Sequence, residues 1–267
     1  MRDPFGATSH STAWHGRAAV QKDAVTNPLI LALDHSGLLR HDDRYTLEAL
    51  CARPRRIEAR TDIVREGDPV GDLHIVLDGF VIRYKTLPSG ERQIIAVLVP
   101  GDFCDLQAVT LGRNDHSIAA CTACSIVEVP PRIVDELTLT PSRIARALWW
   151  GTLVEESILR QWLTNLGRRQ AVQRLAHLMC EVLVRLQAVG RAGPDGCAFP
   201  FTLDDLADML GLTAVHVSRV VRDLPEQELI RLSKRQLEVP NLGQLMAFCD
   251  FDPSYLHRRD RSGVAYG

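Results

Sequence analysis

The chain contains, at residues 202–219, the stretch TLDDLADMLGLTAVHVSR, which predicts a helix, a glycine turn and a second helix. Apolar residues of the first helix are spaced i, i+3, i+4 and i+7, at Leu203, Leu206, Ala207 and Leu210. Thr202 and Asp205 have the spacing of a capping box, which marks the start of that helix. Gly211 can adopt the left-handed conformation that ends a helix, and Thr213 can cap the next one.

The second helix has one apolar face and one polar, basic face. The i, i+3, i+4, i+7 spacing recurs there at Val217, Val220, Val221 and Leu224. At roughly 100° per residue, Val215, Arg219 and Arg222 lie on the opposite side, with Ser218 at their flank. Such a free face fits the DNA major groove, where arginine can bind guanine and valine can contact a thymine methyl. The alternative is an ordinary helical hairpin with a solvated face.

A small β-wing is predicted directly after the hairpin. Residues 229–232 and 236–239 alternate between apolar and polar, as half-buried strands do. The basic turn between them, Ser233-Lys234-Arg235, places cations where they can contact DNA phosphates. The predicted DNA-binding residues are therefore Thr213, Val215, His216, Ser218, Arg219, Arg222, Lys234 and Arg235.

Composition limits the class of protein. The 267 residues allow two ordinary domains, and a net charge of −2 means that any nucleic-acid surface is local. No apolar run approaches the ~20 residues that span a bilayer, and the N-terminus lacks an apolar signal core, so we expect a cytoplasmic protein without membrane contact. The 7 cysteines are odd in number and scattered, which favours free thiols over a disulfide framework.

A β-rich region is predicted between Ile57 and Val129. Short apolar or alternating runs recur there between turn signals, at residues 62–64, 73–77, 80–84, 93–98 and 124–129. Several short strands at near-regular spacing are typical of an all-β barrel or jelly roll. We expect a mobile N-terminal tail at residues 1–27 and a β-roll sensor domain at residues 28–139.

A long helix is predicted between the two domains, opened by Thr140-Pro141 and running to about residue 166. Its apolar seam comprises Ile144, Leu148, Val154, Ile158, Trp162 and Leu166. We favour a coiled coil with a second copy as the partner of this seam; the alternative is packing against the chain's own β domain. We therefore expect a dimerisation helix at 140–167, a winged helix-turn-helix domain at 168–250 and a C-terminal tail at 251–267. The next helix, at about 168–189, should bury Leu175, Leu178, Met179, Val182 and Leu186.

This order of elements resembles the Crp/Fnr family of bacterial transcription regulators. The resemblance covers about residues 28–250, and the following segments carry it: Glu66-Gly67-Asp68, Leu77-Asp78-Gly79, Pro100-Gly101-Asp102-Phe103, Arg174-Leu175-Ala176 and 203–219. It implies an α+β fold with an N-terminal β-roll of the jelly-roll, cyclic-nucleotide-binding-like type. A long dimerisation helix and a C-terminal winged helix-turn-helix would follow.

The resemblance further implies a homodimer that reads a palindromic DNA site and works with RNA polymerase as activator or repressor. Arg219 matches a family arginine that reads guanine. Val215 stands where many relatives have glutamate, so the half-site should differ there. Pro225 should end or kink the recognition helix, because proline disfavours helical geometry in Leu224. These two departures leave open a sensor or scaffold with a degenerate, non-DNA-binding helix-turn-helix.

The family's effector pocket corresponds here to Phe103-Cys104-Asp105-Leu106 and His116-Ser117. Cyclic-nucleotide-binding members have Phe-Gly-Glu-Leu in the first segment and Arg-Ser or Arg-Ala in the second. Here aspartate replaces the glutamate and histidine replaces the arginine that pairs with the cyclic phosphate. A mostly neutral histidine cannot substitute for an always charged, bidentate arginine. We therefore expect that the controlling signal is not cyclic AMP.

We predict no cofactor and no metal site. Clustered N-terminal cysteines of iron–sulfur members have no counterpart, since the first cysteine is Cys51. The Cys121-Thr122-Ala123-Cys124 spacing lies in a strand region, where buried thiols usually act as small hydrophobes. Cys104 as a redox-active thiol, or His74 or His116 as a haem ligand, are the remaining alternatives. No activated nucleophile is evident, so we expect no enzyme, although Asp105 and His116 could form an acid–base pair if they were adjacent.

Overall fold

A computed structural model of the chain describes residues 26–139, 142–226 and 228–259, without the side chains of Pro225 and Glu226. In the N-terminal half the helices are α1 (Pro28–Asp34), α2 (His41–Leu50), α3 (Leu106–Leu111) and α4 (Pro131–Thr138). The strands are β1 (Arg55–Ile57), β2 (Asp62–Val64), β3 (Leu73–Asp78), β4 (Val81–Thr86), β5 (Arg92–Leu98), β6 (Ser117–Ala120) and β7 (Cys124–Val129). Residues 1–25 of the predicted tail lie outside the described residues, whereas Asn27 is buried and caps α1 through its side chain.

These strands form two antiparallel sheets, one of 3 strands in the order β1-β7-β3 and one of 4 strands in the order β2-β6-β4-β5. Apolar side chains from both sheets form a common core that includes Val76, Val81, Leu98, Ile118 and Ile126. The predicted β-roll is therefore confirmed. Strands β1 and β6 were not predicted, because β1 begins with two exposed arginines and β6 consists mostly of small residues.

A glycine turn closes the β-roll against the N-terminal helix. Gly101 has φ of +99°, and a Cβ there would lie 2.6 Å from the carbonyl oxygen of Pro28. Only glycine allows both the backbone conformation and this close approach. The turn that follows β5 is thereby held against α1.

The long helix α5 spans Arg143–Arg168, and Ser142 caps it by accepting a hydrogen bond from the Ala145 N–H at 3.0 Å. The predicted opening at Thr140 and Pro141 lies outside the described residues. The predicted dimer seam is wrong for three of its six residues, which are buried within their own chain, whereas Val154, Ile158 and Leu166 are half-buried. Ile144 and Leu148 are buried against the β-roll, and Trp162 is buried against the DNA-binding domain. The spacing of apolar residues alone does not show whether such a stripe packs against its own chain or against a second copy.

A different face of α5 is exposed and apolar. Trp149, Leu153, Leu159 and Leu163 are 67%, 47%, 55% and 72% exposed. At about 100° per residue these side chains lie within about 120° of the helix circumference. This strip, here called the α5 outer face, has no partner among the described residues of one chain.

The C-terminal half begins with helix α6 (Ala171–Ala188), whose predicted stripe is buried as expected. It continues with α7 (Leu203–Leu210), α8 (Ala214–Glu226), α9 (Leu242–Cys249) and the strands β8 (Gly196–Ala198), β9 (Arg231–Ser233) and β10 (Gln236–Glu238). A 3-10 helix, Pro253–Leu256, packs on α5. Phe251 and Leu256 are buried, so the described part of the predicted C-terminal tail is packed and is not a tail. No helix among the described ranges is long and apolar enough to cross a membrane.

Candidate nucleic-acid interface

The helical hairpin forms through the local signals predicted for it. Thr202 Oγ1 accepts from the Asp205 N–H at 3.1 Å, and Asp205 accepts from the Thr202 N–H at 3.0 Å, which completes a capping box. Gly211 ends α7 in the left-handed conformation, with φ of +63°. Thr213 Oγ1 accepts from the His216 N–H at 3.2 Å and caps α8. These contacts fix the angle at which α8 leaves the turn.

Helix α8 buries one face and exposes the other, as predicted. Val217 and Leu224 are fully buried, and Val220 is 4% exposed. Val215 is 66% exposed. The remaining predicted DNA contacts of this segment are also exposed: Thr213, His216, Ser218, Arg219 and Arg222. In the preceding helix Leu203 is 43% exposed, so its assignment to the apolar stripe was wrong.

The wing is a three-stranded sheet in the order β8-β10-β9, in which β8 was not predicted. Lys234 and Arg235 form its tight turn, with φ of +47° and +64°, and Ser233 belongs to β9. Both side chains are exposed at the tip. Two consecutive left-handed residues give the turn that best matches strand twist, although neither residue is glycine. Two cations are thereby presented at one edge of the hairpin domain.

Pro225 does not end the recognition helix ahead of itself. Helix α8 continues to Glu226, one residue past the proline. The predicted early end is therefore wrong, because Pro225 lies in the last turn of α8, where its missing N–H does not stop the helix; the predicted alternative of a kink stays a prediction. The exposed residues Val215, His216, Ser218, Arg219 and Arg222 all precede Pro225.

The hairpin is tied to the β-roll by a cluster of ion pairs that the sequence did not reveal. Arg60 donates two hydrogen bonds to Asp205 at 2.8 and 2.9 Å, and Arg92 donates to Asp208 at 2.6 Å and to Asp205 at 3.2 Å. Asp205 is 1% exposed. Burial alone would raise the pKa of its carboxyl, but the hydrogen bonds from Arg60 and Thr202 lower that pKa to about 2. The residue that caps α7 thus also fixes the hairpin to the β-roll.

A second set of buried charges joins the β-roll, α5 and α6. Arg185 on α6 pairs with Asp102 in the turn after β5, and Arg83 on β4 pairs with Glu155 on α5 at 3.2 Å. Arg83 also donates to the backbone carbonyls of Phe103 and Cys104, both at 2.7 Å. No local pattern marks these pairs, because their members are far apart in the sequence.

Loss of the Asp205 charge should destabilise the protein in a pH-dependent way. We expect Asp205→Asn to lower the free energy of unfolding by about 2 kcal/mol at pH 7, since a carboxyl pKa lowered by folding stabilises the folded state. That stabilisation is present above the ordinary pKa near 4 and is lost as the pH falls towards 2. In denaturant titrations between pH 7 and pH 2, the free energies of unfolding of the two proteins should therefore converge as the pH falls. Asp204→Asn, on the exposed neighbour, should show no comparable difference; a gap that persists at pH 2 would contradict the assignment.

The predicted effector-pocket residues do not line one cavity. Asp105 is 4% exposed and is bonded to His74, with Oδ1 accepting the backbone N–H at 2.8 Å and Oδ2 lying 2.7 Å from Nδ1. Cys104 is fully buried, and Ser117 accepts from the Glu66 N–H at 2.9 Å. His116 lies beside a different carboxylate, so the imagined Asp105–His116 pair is not formed.

A cavity of about 280 Å³ lies between the β-roll and α5, and His116 is the only predicted pocket residue that lines it. Burial, together with the charge of Arg83, lowers the pKa of His116. Arg83 also lines this cavity, but its guanidinium is already bonded to Glu155 and to backbone carbonyls. A ligand in this cavity would therefore meet the neutral imidazole of His116 and an Arg83 guanidinium that is already hydrogen-bonded within the chain.

All 7 cysteines are buried free thiols. Burial raises the pKa of Cys104 well above its usual range, which keeps the thiol protonated and unreactive. Cys121 and Cys124 pack in different parts of the core, and no disulfide joins them. Within the described ranges no three His, Cys, Asp or Glu side chains are grouped as metal ligands would be.

Two family models match this chain. Residues 173–248 match the Crp-like helix-turn-helix domain, and residues 54–140 match the cyclic nucleotide-binding domain. The nitrogen fixation regulation protein FixK of Bradyrhizobium diazoefficiens is 32% identical over 166 residues, which cover 61% of this chain and 67% of FixK. The transcriptional activator protein Anr of Pseudomonas protegens is 25% identical over 247 residues, covering 92% of this chain and 97% of Anr.

Among solved structures, FixK2 from Bradyrhizobium japonicum superimposes with a TM-score of 0.66 and 28% sequence identity. The match covers 73% of this chain and 96% of FixK2. A CRP-family regulator of Thermus thermophilus, TTHB099, superimposes with a TM-score of 0.58 at 19% identity and so supports the fold. Both similarities cover most of the chain.

Proposed function

Because this chain belongs to the Crp/Fnr family of DNA-binding transcription regulators, we propose that two copies of it read a palindromic DNA site under the control of a signal other than cyclic AMP. The observation that carries this proposal is the exposure of the polar face of α8 above a buried apolar face. Base reading requires such an exposed face with arginines, and selection of bound sites distinguishes it from a solvated helix face.

Each exposed residue of this face has a role that its chemistry supports. Arg219 can fork onto guanine O6 and N7, Ser218 can donate or accept at a base edge, and Val215 can contact a thymine methyl. Thr213, His216 and Arg222 flank them on the same helix. Lys234 and Arg235 extend from the wing, where cations contact phosphate and supply affinity without sequence preference.

The α5 outer face is the proposed dimer contact. Its four large apolar side chains are exposed in one chain, and a second copy related by a two-fold axis would cover them with the same four side chains. Such a dimer presents two α8 helices to successive turns of the duplex. The relative Anr is named a transcriptional activator, so we extend the proposal to contact with RNA polymerase at the promoter.

Selection of bound sites from random duplex DNA tests this function directly. We expect the selected sequences to contain an inverted repeat whose half-site centres are about 10 base pairs, or one helical turn, apart. Because Val215 replaces an acidic residue, we expect an A·T pair at the position it faces. Recovery of DNA without any common sequence would contradict base reading by α8.

We predict that cyclic AMP does not bind with micromolar affinity. The Asp105 carboxylate is already bonded to His74, and the neutral His116 carries no charge for a cyclic phosphate. Equilibrium titration, measured by calorimetry, should give no saturable signal up to a cyclic AMP concentration about 100-fold above the micromolar range. A dissociation constant at that concentration corresponds to a binding free energy of only about 5–6 kcal/mol. Saturation at micromolar cyclic AMP would refute this prediction.

A further inference from the structure

Two cysteine side chains meet inside the DNA-binding domain, one on α6 and one at the last residue of α9. The sulfur atoms of Cys180 and Cys249 lie 3.9 Å apart, and both residues are fully buried. Both are free thiols in this structure. Two thiols in direct contact are the arrangement from which a disulfide can form, since that bond brings the sulfur atoms to about 2.05 Å. The alternative is that the two thiols only pack as small hydrophobic groups.

Helix α9, which carries Cys249, is a short helix at the surface of the domain. Leu245 and Cys249 are its buried residues, and its other residues are half-buried or exposed. At its end Arg169 donates hydrogen bonds to the carbonyl oxygens of Cys249 and Asp250, both at 2.9 Å. A peripheral helix held through so few buried side chains opens locally more easily than the core does. Local opening of α9 gives a small oxidant access to Cys249, and a small shift of the helix closes the gap between the sulfur atoms.

The surroundings of Cys249 favour its thiolate form. The hydrogen bond from Cys180 lowers the pKa of the Cys249 thiol, burial opposes this effect, and the charge of Arg169 adds to the lowering. By contrast, burial alone acts on Cys197, on β8, and raises the pKa of its thiol to about 12. The thiolate is the form of cysteine that attacks an oxidant. Cys249 is therefore the nucleophile of the pair, and Cys180 is the thiol that lies next to it.

We propose that Cys180 and Cys249 form a reversible disulfide when the protein meets hydrogen peroxide. The Cys249 thiolate attacks one peroxide oxygen, the O–O bond breaks, and the hydroxide that leaves takes up a proton to become water. Cys249 is then a sulfenic acid. The sulfur of Cys180 attacks the sulfur of Cys249, and the Cys180 thiol proton leaves with the sulfenic hydroxyl as a second water. The two sulfur atoms together lose two electrons, which the peroxide gains.

The proposed bond encloses the reading head in one covalent loop. Cys180 and Cys249 are 69 residues apart, and α7, α8 and the three strands of the wing all lie between them. A disulfide stabilises a protein mainly by restricting the unfolded chain, and this effect grows with the length of the closed loop. Oxidation therefore stabilises the DNA-binding domain, a consequence that is independent of the DNA sequence that the domain reads.

Peptide mapping of the full wild-type chain tests the proposed bond. Trypsin releases Cys180 in the peptide 175–185 and Cys249 in the peptide 236–258, each with no other cysteine. After treatment with a stoichiometric amount of hydrogen peroxide and alkylation of the remaining thiols, we expect these two peptides to be joined in most of the protein. Dithiothreitol should separate them. If both peptides were alkylated and unjoined, or if Cys249 became a sulfinic acid without the cross-link, the proposal would be overturned.

Thermal unfolding measures the stabilisation. The oxidised wild-type protein should unfold at a temperature at least about 5 °C above that of the reduced protein. Cys249→Ala should show no such shift on oxidation, whereas Cys197→Ala, the same substitution at another buried cysteine of this domain, should keep it. Each protein is compared with its own reduced form, so that a loss of stability caused by the substitution itself does not enter the comparison.

Two results of this measurement would count against the inference. A shift that persists in Cys249→Ala would show that the peroxide acts at other residues, and would contradict the assigned pair. An unchanged unfolding temperature in wild-type protein that carries the cross-link would overturn the stabilisation of the reading head.

Discussion

Replacing Arg219 by alanine should weaken binding of the selected palindrome by about 100-fold or more. A bidentate arginine–guanine contact contributes about 1–3 kcal/mol of discrimination, and a dimer makes this contact twice. Arg219 is exposed on α8. The substitution therefore removes a base contact and leaves the fold of the hairpin unchanged. Equilibrium titration of labelled palindromic and scrambled duplexes at one fixed salt concentration measures the effect.

Two further variants separate base reading from charge. Arg53→Ala removes an exposed arginine of the β-roll and should leave DNA affinity unchanged. Lys234→Ala on the wing should weaken palindromic and scrambled DNA alike and reduce the salt slope by about 1, as expected for a phosphate contact. If Arg219→Ala lowered affinity for both duplexes equally, Arg219 would be a phosphate contact and the proposed readout would be wrong.

Placing aspartates on the α5 outer face should convert a dimer into a monomer. The Leu159→Asp, Leu163→Asp double variant puts charges on side chains that are 55% and 72% exposed in one chain, so the monomer itself should fold normally. In a dimer these charges would be buried beside their symmetry mates, which costs several kcal/mol. We expect sedimentation analysis to show a monomer at micromolar concentration and palindrome affinity to fall at least about 100-fold, since two half-sites are no longer joined.

The matched control is Leu87→Asp, in the turn between β4 and β5, where the leucine is 53% exposed. It introduces the same charge at similar exposure away from α5 and should remain dimeric. A double variant that stays dimeric would show that the second copy binds elsewhere, and the outer face would lose its assigned role.

The elements that depend on near neighbours in the sequence could be predicted. The capping box at Thr202 and Asp205, the left-handed Gly211 and the Thr213 cap each involve residues that lie close together along the chain. Most strands of the β-roll followed from alternation between turn residues. Strands without that pattern, such as β1 with its exposed arginines, were missed for the same reason.

Features that depend on distant residues could not be predicted. Helix α5 carries apolar residues on more than one face, and spacing does not say which face meets the chain itself and which remains free. Asp205 was correctly read as a capping residue, but its bond to Arg60 joins positions 145 residues apart. The DNA-binding face was predictable because it needs only an amphipathic helix, whereas the effector region required knowing that Asp105 is bonded to His74.

The two duties of Asp205 bear on any attempt to build chimeras from this protein. Transplanting its reading head onto a foreign sensor module would succeed only if that module offered cations at the places held by Arg60 and Arg92. Without them the chimera would contain a buried carboxylate without a cationic partner in the first turn of α7. We expect the result to be a destabilised DNA-binding domain, rather than a stable domain that no longer responds to its sensor.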